Sequence, residues 1–143
     1  MIIKKSGSAV WSGDLKEGVG SVSTQTGVLD KAPYGFNSRF EGGKGTNPEE
    51  LIAAAHAGCF TMALSGVLEK AGLKATELNT TATVSLEKVG GGFAITAVHL
   101  ALVAKIPKAT DEVFQTAAHE AKQNCPVSKL FNANITLDAK LQS

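Results

Sequence analysis

Between Leu51 and Leu64 nearly every residue is small or apolar: Leu51-Ile52-Ala53-Ala54-Ala55-His56-Ala57-Gly58-Cys59-Phe60-Thr61-Met62-Ala63-Leu64. That run leaves few folds open. Just ahead of it, Asn47-Pro48-Glu49-Glu50 is a helix start: Asn47 as N-cap, Pro48 at the first helical position, Glu50 where a capping-box carboxylate reaches back. Gly72 stops the helix, so the spacing predicts a helix over residues 48–71. Apolar on nearly every side, it reads as buried rather than half-exposed. At 1.5 Å per residue it spans about 37 Å, close to the full width expected of a globule of this length. One domain would struggle to cover it, which predicts a dimer whose second subunit covers part of the helix.

The rest of the chain reads mostly as strands. Ala9-Val10-Trp11 and Gly20-Ser21-Val22-Ser23-Thr24, separated by Ser12-Gly13-Asp14 and followed by Pro33-Tyr34-Gly35, predict a small antiparallel sheet. Ala82, Val84 and Leu86 alternate with Thr83, Ser85 and Glu87, and after the turn Gly90-Gly91-Gly92 residues 93–104 form a more apolar strand, which together predict a hairpin. Thr110 caps a helix over about residues 110–123, with Asp111 and Glu112 in its first turn, where the helix dipole favours negative charge. A strand with one wet face closes the chain, with Ile135, Leu137, Ala139 and Leu141 inward. Strands cluster instead of alternating with helices. This predicts an α+β fold of largely antiparallel sheets packed around the long central helix, with residues 1–143 as a single domain.

Charge and composition exclude several functions. The formal charge is +1 and the basic residues are scattered, so no stripe tracks a phosphate backbone and nucleic acid is not an expected partner. The sequence shows no signal-peptide pattern, and no segment reads as a membrane helix. The expected location is the cytoplasm. Thiols stay reduced there, so the two cysteines, Cys59 and Cys125, point to chemistry rather than a structural staple if they pair.

Cys59 lies mid-helix, where an inert buried cysteine is the plain alternative. Cys125 sits between Asn124 and Pro126, at the N-cap of a short helix over residues 126–131, whose free N–H groups lower a thiol pKa. By that local logic Cys125 is the more acidic thiol, and Cys59 needs an outside cation. Of 14 basic residues only Arg39 is an arginine, which marks it as a planar, permanently charged donor, or else as an ordinary surface residue. On the helix wheel Glu49 lies about 80° from Cys59 and Glu50 about 180° away. Glu49 is the better neighbour, yet about 15 Å of rise means that only a folded-back Arg39 links the two; its alternative role is to complement the helix dipole. His56 shares the Cys59 face three residues earlier. A hydrogen-bonded core histidine explains it better than zinc, which lacks a convincing ligand set.

Four motifs then carry a resemblance: Pro33-Tyr34-Gly35-Phe36-Asn37 to Arg39-Phe40, Gly45-Thr46-Asn47-Pro48-Glu49-Glu50-Leu51, Ala54-Ala55-His56-Ala57-Gly58-Cys59-Phe60, and Asn124-Cys125-Pro126-Val127-Ser128. Together they resemble the OsmC branch of the OsmC/Ohr family of organic hydroperoxide reductases, across essentially the whole chain. The resemblance implies an intertwined homodimer with two active sites at the subunit interface. It implies that Cys59 attacks the peroxide, that Cys125 resolves the product as a disulfide, and that Arg39 and Glu49 activate the thiolate and orient substrate. It also implies an external dithiol reductant, possibly lipoyl-type in chemistry, and no haem, flavin or metal cofactor. Apolar neighbours such as Phe40 and Phe60 suit an alkyl or lipid hydroperoxide better than hydrogen peroxide if they line the pocket. A redox sensor that switches without turnover is the rival class.

Overall fold

The computed structural model describes residues 1–142, and its contacts divide the chain into two compact units, Met1–Leu51 and Ile52–Ser143. In the first, β1 (Gly7–Ser12), β2 (Val19–Thr24) and β3 (Ala32–Tyr34) form an antiparallel sheet in that order, followed by the one-turn helix α1 (Phe36–Phe40). The small antiparallel sheet read from the sequence is therefore present. Trp11 of β1 and Tyr34 of β3 stand 5.6 Å apart, ring centre to ring centre. Gly20 of β2 lies under both: a Cβ there would come within 2.5 Å of the indole and 2.6 Å of the phenol. Only glycine fits that contact.

The turn after α1 is held by one hydroxyl. Ser38 accepts from the Gly35 amide at 2.9 Å and donates to the Thr46 carbonyl at 2.8 Å, and the Asn47 side-chain amide donates to the Ser38 carbonyl at 3.2 Å. Gly45, at φ +107°, lets the chain pass so near Pro33 that a Cβ would meet its carbonyl at 2.5 Å. Ser38 is the buried polar group of this unit. Several of its apolar side chains stay open: Val10, Leu15, Val19 and Val28 are exposed.

The long helix α2 runs Pro48–Lys70. Asn47 caps it by accepting from the Glu50 amide at 2.7 Å. Glu50 does not reach back to Asn47 as a capping box would; its carboxylate accepts from the Thr46 hydroxyl at 2.7 Å, a donor one residue earlier that is closer to hand. Gly72, at φ +75°, follows the helix end.

In the second unit, β4 (Glu77–Val89) and β5 (Gly92–Lys105) form the expected hairpin, turning at Gly90 with φ +61°. Helices α3 (Asp111–Asn124) and α4 (Pro126–Leu130) then carry the chain to β6 (Asn134–Gln142). Thr110 caps α3 by accepting from the Val113 amide at 3.2 Å. Strand β6 joins β5 in parallel, so this sheet is mixed rather than wholly antiparallel. Two helices between β5 and β6 give the crossover that parallel neighbours require. The core gathers Phe60, Leu64 and Leu68 of α2, Val98, Leu100, Leu102 and Ala104 of β5, and Phe114, Ala117, Ala118 and Ala121 of α3.

Within one chain, α2 buries a single stripe, His56, Phe60, Leu64 and Leu68, spaced by four. The expectation of burial on nearly every side is not met by one protomer, because the second unit covers only that stripe; Met62, on another face, is 78% exposed. By length and composition α2 is also apolar enough to cross a membrane, which corrects the expectation that no segment is. Its buried stripe instead packs into a core with strand and helix partners.

Candidate functional site

Arg39 and Glu49 are brought together by the Ser38-centred turn and the start of α2. Arg39 Nε donates to Glu49 Oε1 at 2.9 Å and the terminal Nη2 to Oε2 at 3.3 Å, the two-pronged arrangement only a guanidinium offers. The arginine side chain is 38% exposed and the glutamate 12%. Arg39 is therefore paired with Glu49, the contact on which the expected link to Cys59 depends. The guanidinium also lies over the Phe40 ring at 5.2 Å, and Phe40 packs against Phe36 at 4.9 Å.

The two cysteines meet in the second unit. Cys59 projects from the middle of α2, half-buried, and Cys125 is fully buried at the joint between α3 and α4; both are free thiols. Cys59 faces the Cys125 thiol and the Val127 backbone amide. Burial pushes the Cys59 thiol up from its ordinary value; the Val127 hydrogen bond pulls it down, and the Cys125 side chain pushes it up again. The cause of the rise is burial, which the mid-helix reasoning did not name, and the Val127 amide is a local donor from outside α2.

Cys125 is the N-cap of α4, as the sequence indicated, and its sulfur accepts from the Ser128 amide at 3.4 Å. The Ser128 hydroxyl lies 3.2 Å from Cys125 Sγ and 2.8 Å from His56 Nε2. The His56 and Phe131 ring centres lie 5.2 Å apart with the rings nearly perpendicular, and burial lowers the His56 pKa from the ordinary histidine value. His56 is thus a hydrogen-bonded core histidine. Among the described residues no three His, Cys, Asp or Glu side chains gather as a metal site, and His56 Nε2 is already engaged.

Ser128 and Val127 were missed in the sequence reading. The signal was present: a serine three residues after an N-cap cysteine is placed to share that cap. Phe60 needs correction. It has no accessible surface and sits in the core, so it is packing rather than a wall that substrate touches. A surface groove of about 590 Å³ runs beside α2, lined by Ala57, Gly58, Thr61, Met62, Ser65, Leu78, Asn79 and Thr80. It includes neither cysteine.

Two adjacent free thiols, one of them at a helix start, can pass reversibly into a disulfide. A family model described as "OsmC-like protein" matches residues 41–140. The chain is also 54% identical over 143 residues to the peroxiredoxin OsmC of Escherichia coli, covering 100% of both. The chain belongs to the OsmC family. Within that family it is 32% identical over 124 residues to the organic hydroperoxide resistance protein OhrB of Bacillus subtilis, covering 86% of this chain and 88% of that protein. The OsmC-family fold is shared with the crystal structure of an organic hydroperoxide resistance protein from Elizabethkingia anophelis, with a TM-score of 0.69, 30% identity and coverage of 100% of this chain and 99% of that one.

Proposed function

We propose that this OsmC-family chain is a thiol-dependent peroxidase for organic hydroperoxides, working through Cys59 and Cys125. The juxtaposition of the two free thiols carries the reading, and the names of its relatives, peroxiredoxin and organic hydroperoxide resistance protein, support it. The Cys59 thiolate attacks the terminal peroxide oxygen; the O–O bond breaks, an alcohol leaves after taking up a proton, and Cys59 becomes a sulfenic acid. Cys125 then displaces hydroxide as water and closes the disulfide, protecting Cys59 from overoxidation. An external dithiol, lipoyl-type in chemistry, restores both thiols by exchange. Hydrogen peroxide is the poorer substrate.

Burial opposes ionisation of Cys59, so its thiolate needs a fixed positive charge. Arg39, oriented by Glu49, is assigned that role, and with it stabilisation of the departing alkoxide; Phe40, beside the guanidinium, is assigned to the alkyl group of the substrate. Residues 1–143 act as one OsmC-like domain, a reading supported by relatives that align from end to end. The working unit is a homodimer with active sites at its interface. Supporting this, α2 exposes Met62, and the first sheet exposes Val10 and Val19, apolar surface that a second subunit would cover. Its assigned location is the cytoplasm.

Consumption of cumene hydroperoxide with dihydrolipoamide as reductant tests the assignment. Wild type turns over repeatedly, Cys59→Ser does not react, and Cys125→Ser stops after one turnover with a persistent sulfenic acid. Reaction by Cys59→Ser but not by Cys125→Ser would reverse the roles, and an inert wild type would remove the peroxidase reading.

A further inference from the structure

Cys125 has no accessible surface, yet a resolving cysteine must lose a proton before it can attack. Water does not reach the thiol, so the proton must leave along a hydrogen bond. A side chain built for that is already in contact: the Ser128 hydroxyl, 3.2 Å from Cys125 Sγ. Ser128 is itself only 8% exposed, and its oxygen lies 2.8 Å from Nε2 of the fully buried His56. A hydroxyl accepts and donates at once, so thiol, hydroxyl and imidazole form a continuous chain.

We infer that Ser128 and His56 are a proton relay for Cys125, Ser128 touching the reacting sulfur as a catalytic residue and His56 acting through it as a positioning residue. This rests on the peroxidase reading for the step it serves, not for the geometry. Before transfer, Cys125 S–H donates to Ser128 Oγ and the Ser128 O–H donates to Nε2 of a neutral His56 that carries its proton on Nδ1. Nδ1 is buried with no hydrogen-bond partner, so no other group competes to set the tautomer. After transfer every bond reverses: imidazolium N–H to Oγ, and O–H to the thiolate. The Ser128 amide, 3.4 Å from the sulfur, supports the negative charge that results.

The step balances. Cys125 Sγ supplies an electron pair to the Cys59 sulfenic sulfur; the S–S bond forms and the S–O bond breaks. Cys125 is oxidised and Cys59 reduced to the disulfide level. Hydroxide leaves half-buried Cys59 as water by taking a proton from solvent; the proton Cys125 gave stays on His56 and returns through Ser128 when the external dithiol attacks Cys59 and Cys125 leaves as a thiolate, which makes His56 neutral again. The titratable groups that face the relay are Cys59, on the same helix face as His56, and Cys125 itself. Just after α4 the neighbour is the uncharged Phe131, while Lys129 of α4 is exposed; β5 and α3 contribute apolar Val98, Leu100 and Ala121 to the surrounding core.

The test reads Cys125 alone, in reduced Cys59→Ser protein, by thiolate ultraviolet absorbance against pH. Ser128→Ala and His56→Asn should each move thiolate formation up by about one pH unit, a tenfold change in thiolate fraction at a fixed pH. Ser128→Thr should rescue it. In protein with both cysteines, oxidised by one equivalent of cumene hydroperoxide, Ser128→Ala should slow disulfide closure roughly 100-fold, the lower range of what a positioned proton acceptor supplies. Thermal melts identify a variant that has lost its fold, in which case the other of the two decides. An unmoved titration in Ser128→Ala, or an equal shift in Ser128→Thr, would overturn the relay and leave Ser128 as packing. An inert response to hydroperoxide would remove the peroxidase reading, while the titration still decides the relay.

Discussion

Replacing Arg39 by lysine separates the two jobs the Arg39–Glu49 pair could do. The guanidinium grips both carboxylate oxygens, at 2.9 and 3.3 Å, but its side chain is 38% exposed. Solvent at that exposure limits the contribution to folding to about 1 kcal/mol, or about 4 °C in Tm for a domain of this size. Lysine keeps the charge and loses the fork: one ammonium cannot hold Glu49 in two places and also aim a fixed N–H at an anion. Loss of one well-aimed donor at a developing anion costs about 3 kcal/mol, which is roughly 100-fold in rate. The assay is the stopped-flow rate of the first Cys59 oxidation by cumene hydroperoxide, with Tm followed by circular dichroism on the same samples. A large rate loss with a small Tm change is expected. An unchanged rate would refute a catalytic Arg39, and a fall in Tm well beyond that limit would make the pair structural.

Phe60→Leu should lower the urea midpoint while turnover per folded molecule is retained, because the ring is enclosed by the core; a Phe60→Ala cavity costs about 3–5 kcal/mol. A selective rise in KM for bulky hydroperoxides with unchanged stability would instead return Phe60 to the pocket. For His56, burial lowers the folded-state pKa below the ordinary 6.5. Its stabilising contribution is therefore complete above that value and lost as pH falls through the lowered one. Urea unfolding of reduced protein should show stability declining on acidification below about pH 6.5, with a shallower decline in His56→Asn; identical slopes would show that other groups carry the acid sensitivity.

Local chemistry alone foretold much of the fold. Asn47-Pro48 and Thr110 start helices because capping is settled within a few residues, and both caps are made as read. The alternation through 82–87 and 135–141 marks one inward face because a strand's side-chain period is two. Cys125 as the N-cap of α4 was legible in the same way. Where a competing partner lay nearby, local logic failed: Glu50 takes the Thr46 hydroxyl instead of completing a capping box.

The sequence by itself determined where helices and strands begin, which faces are apolar, and which residues carry chemistry, since these depend on neighbours within one or two turns. Only tertiary structure decided the parallel pairing of β5 with β6, because strand direction follows from the route of the crossover and leaves the alternation unchanged. It decided that Phe60 is core while Met62, two residues on, is open, because helical periodicity says that faces differ but not which face meets the sheet. It also decided the His56–Ser128–Cys125 chain. His56 and Ser128 are 72 residues apart in sequence, and a contact at that separation exists only once α2 and α4 pack around the same core.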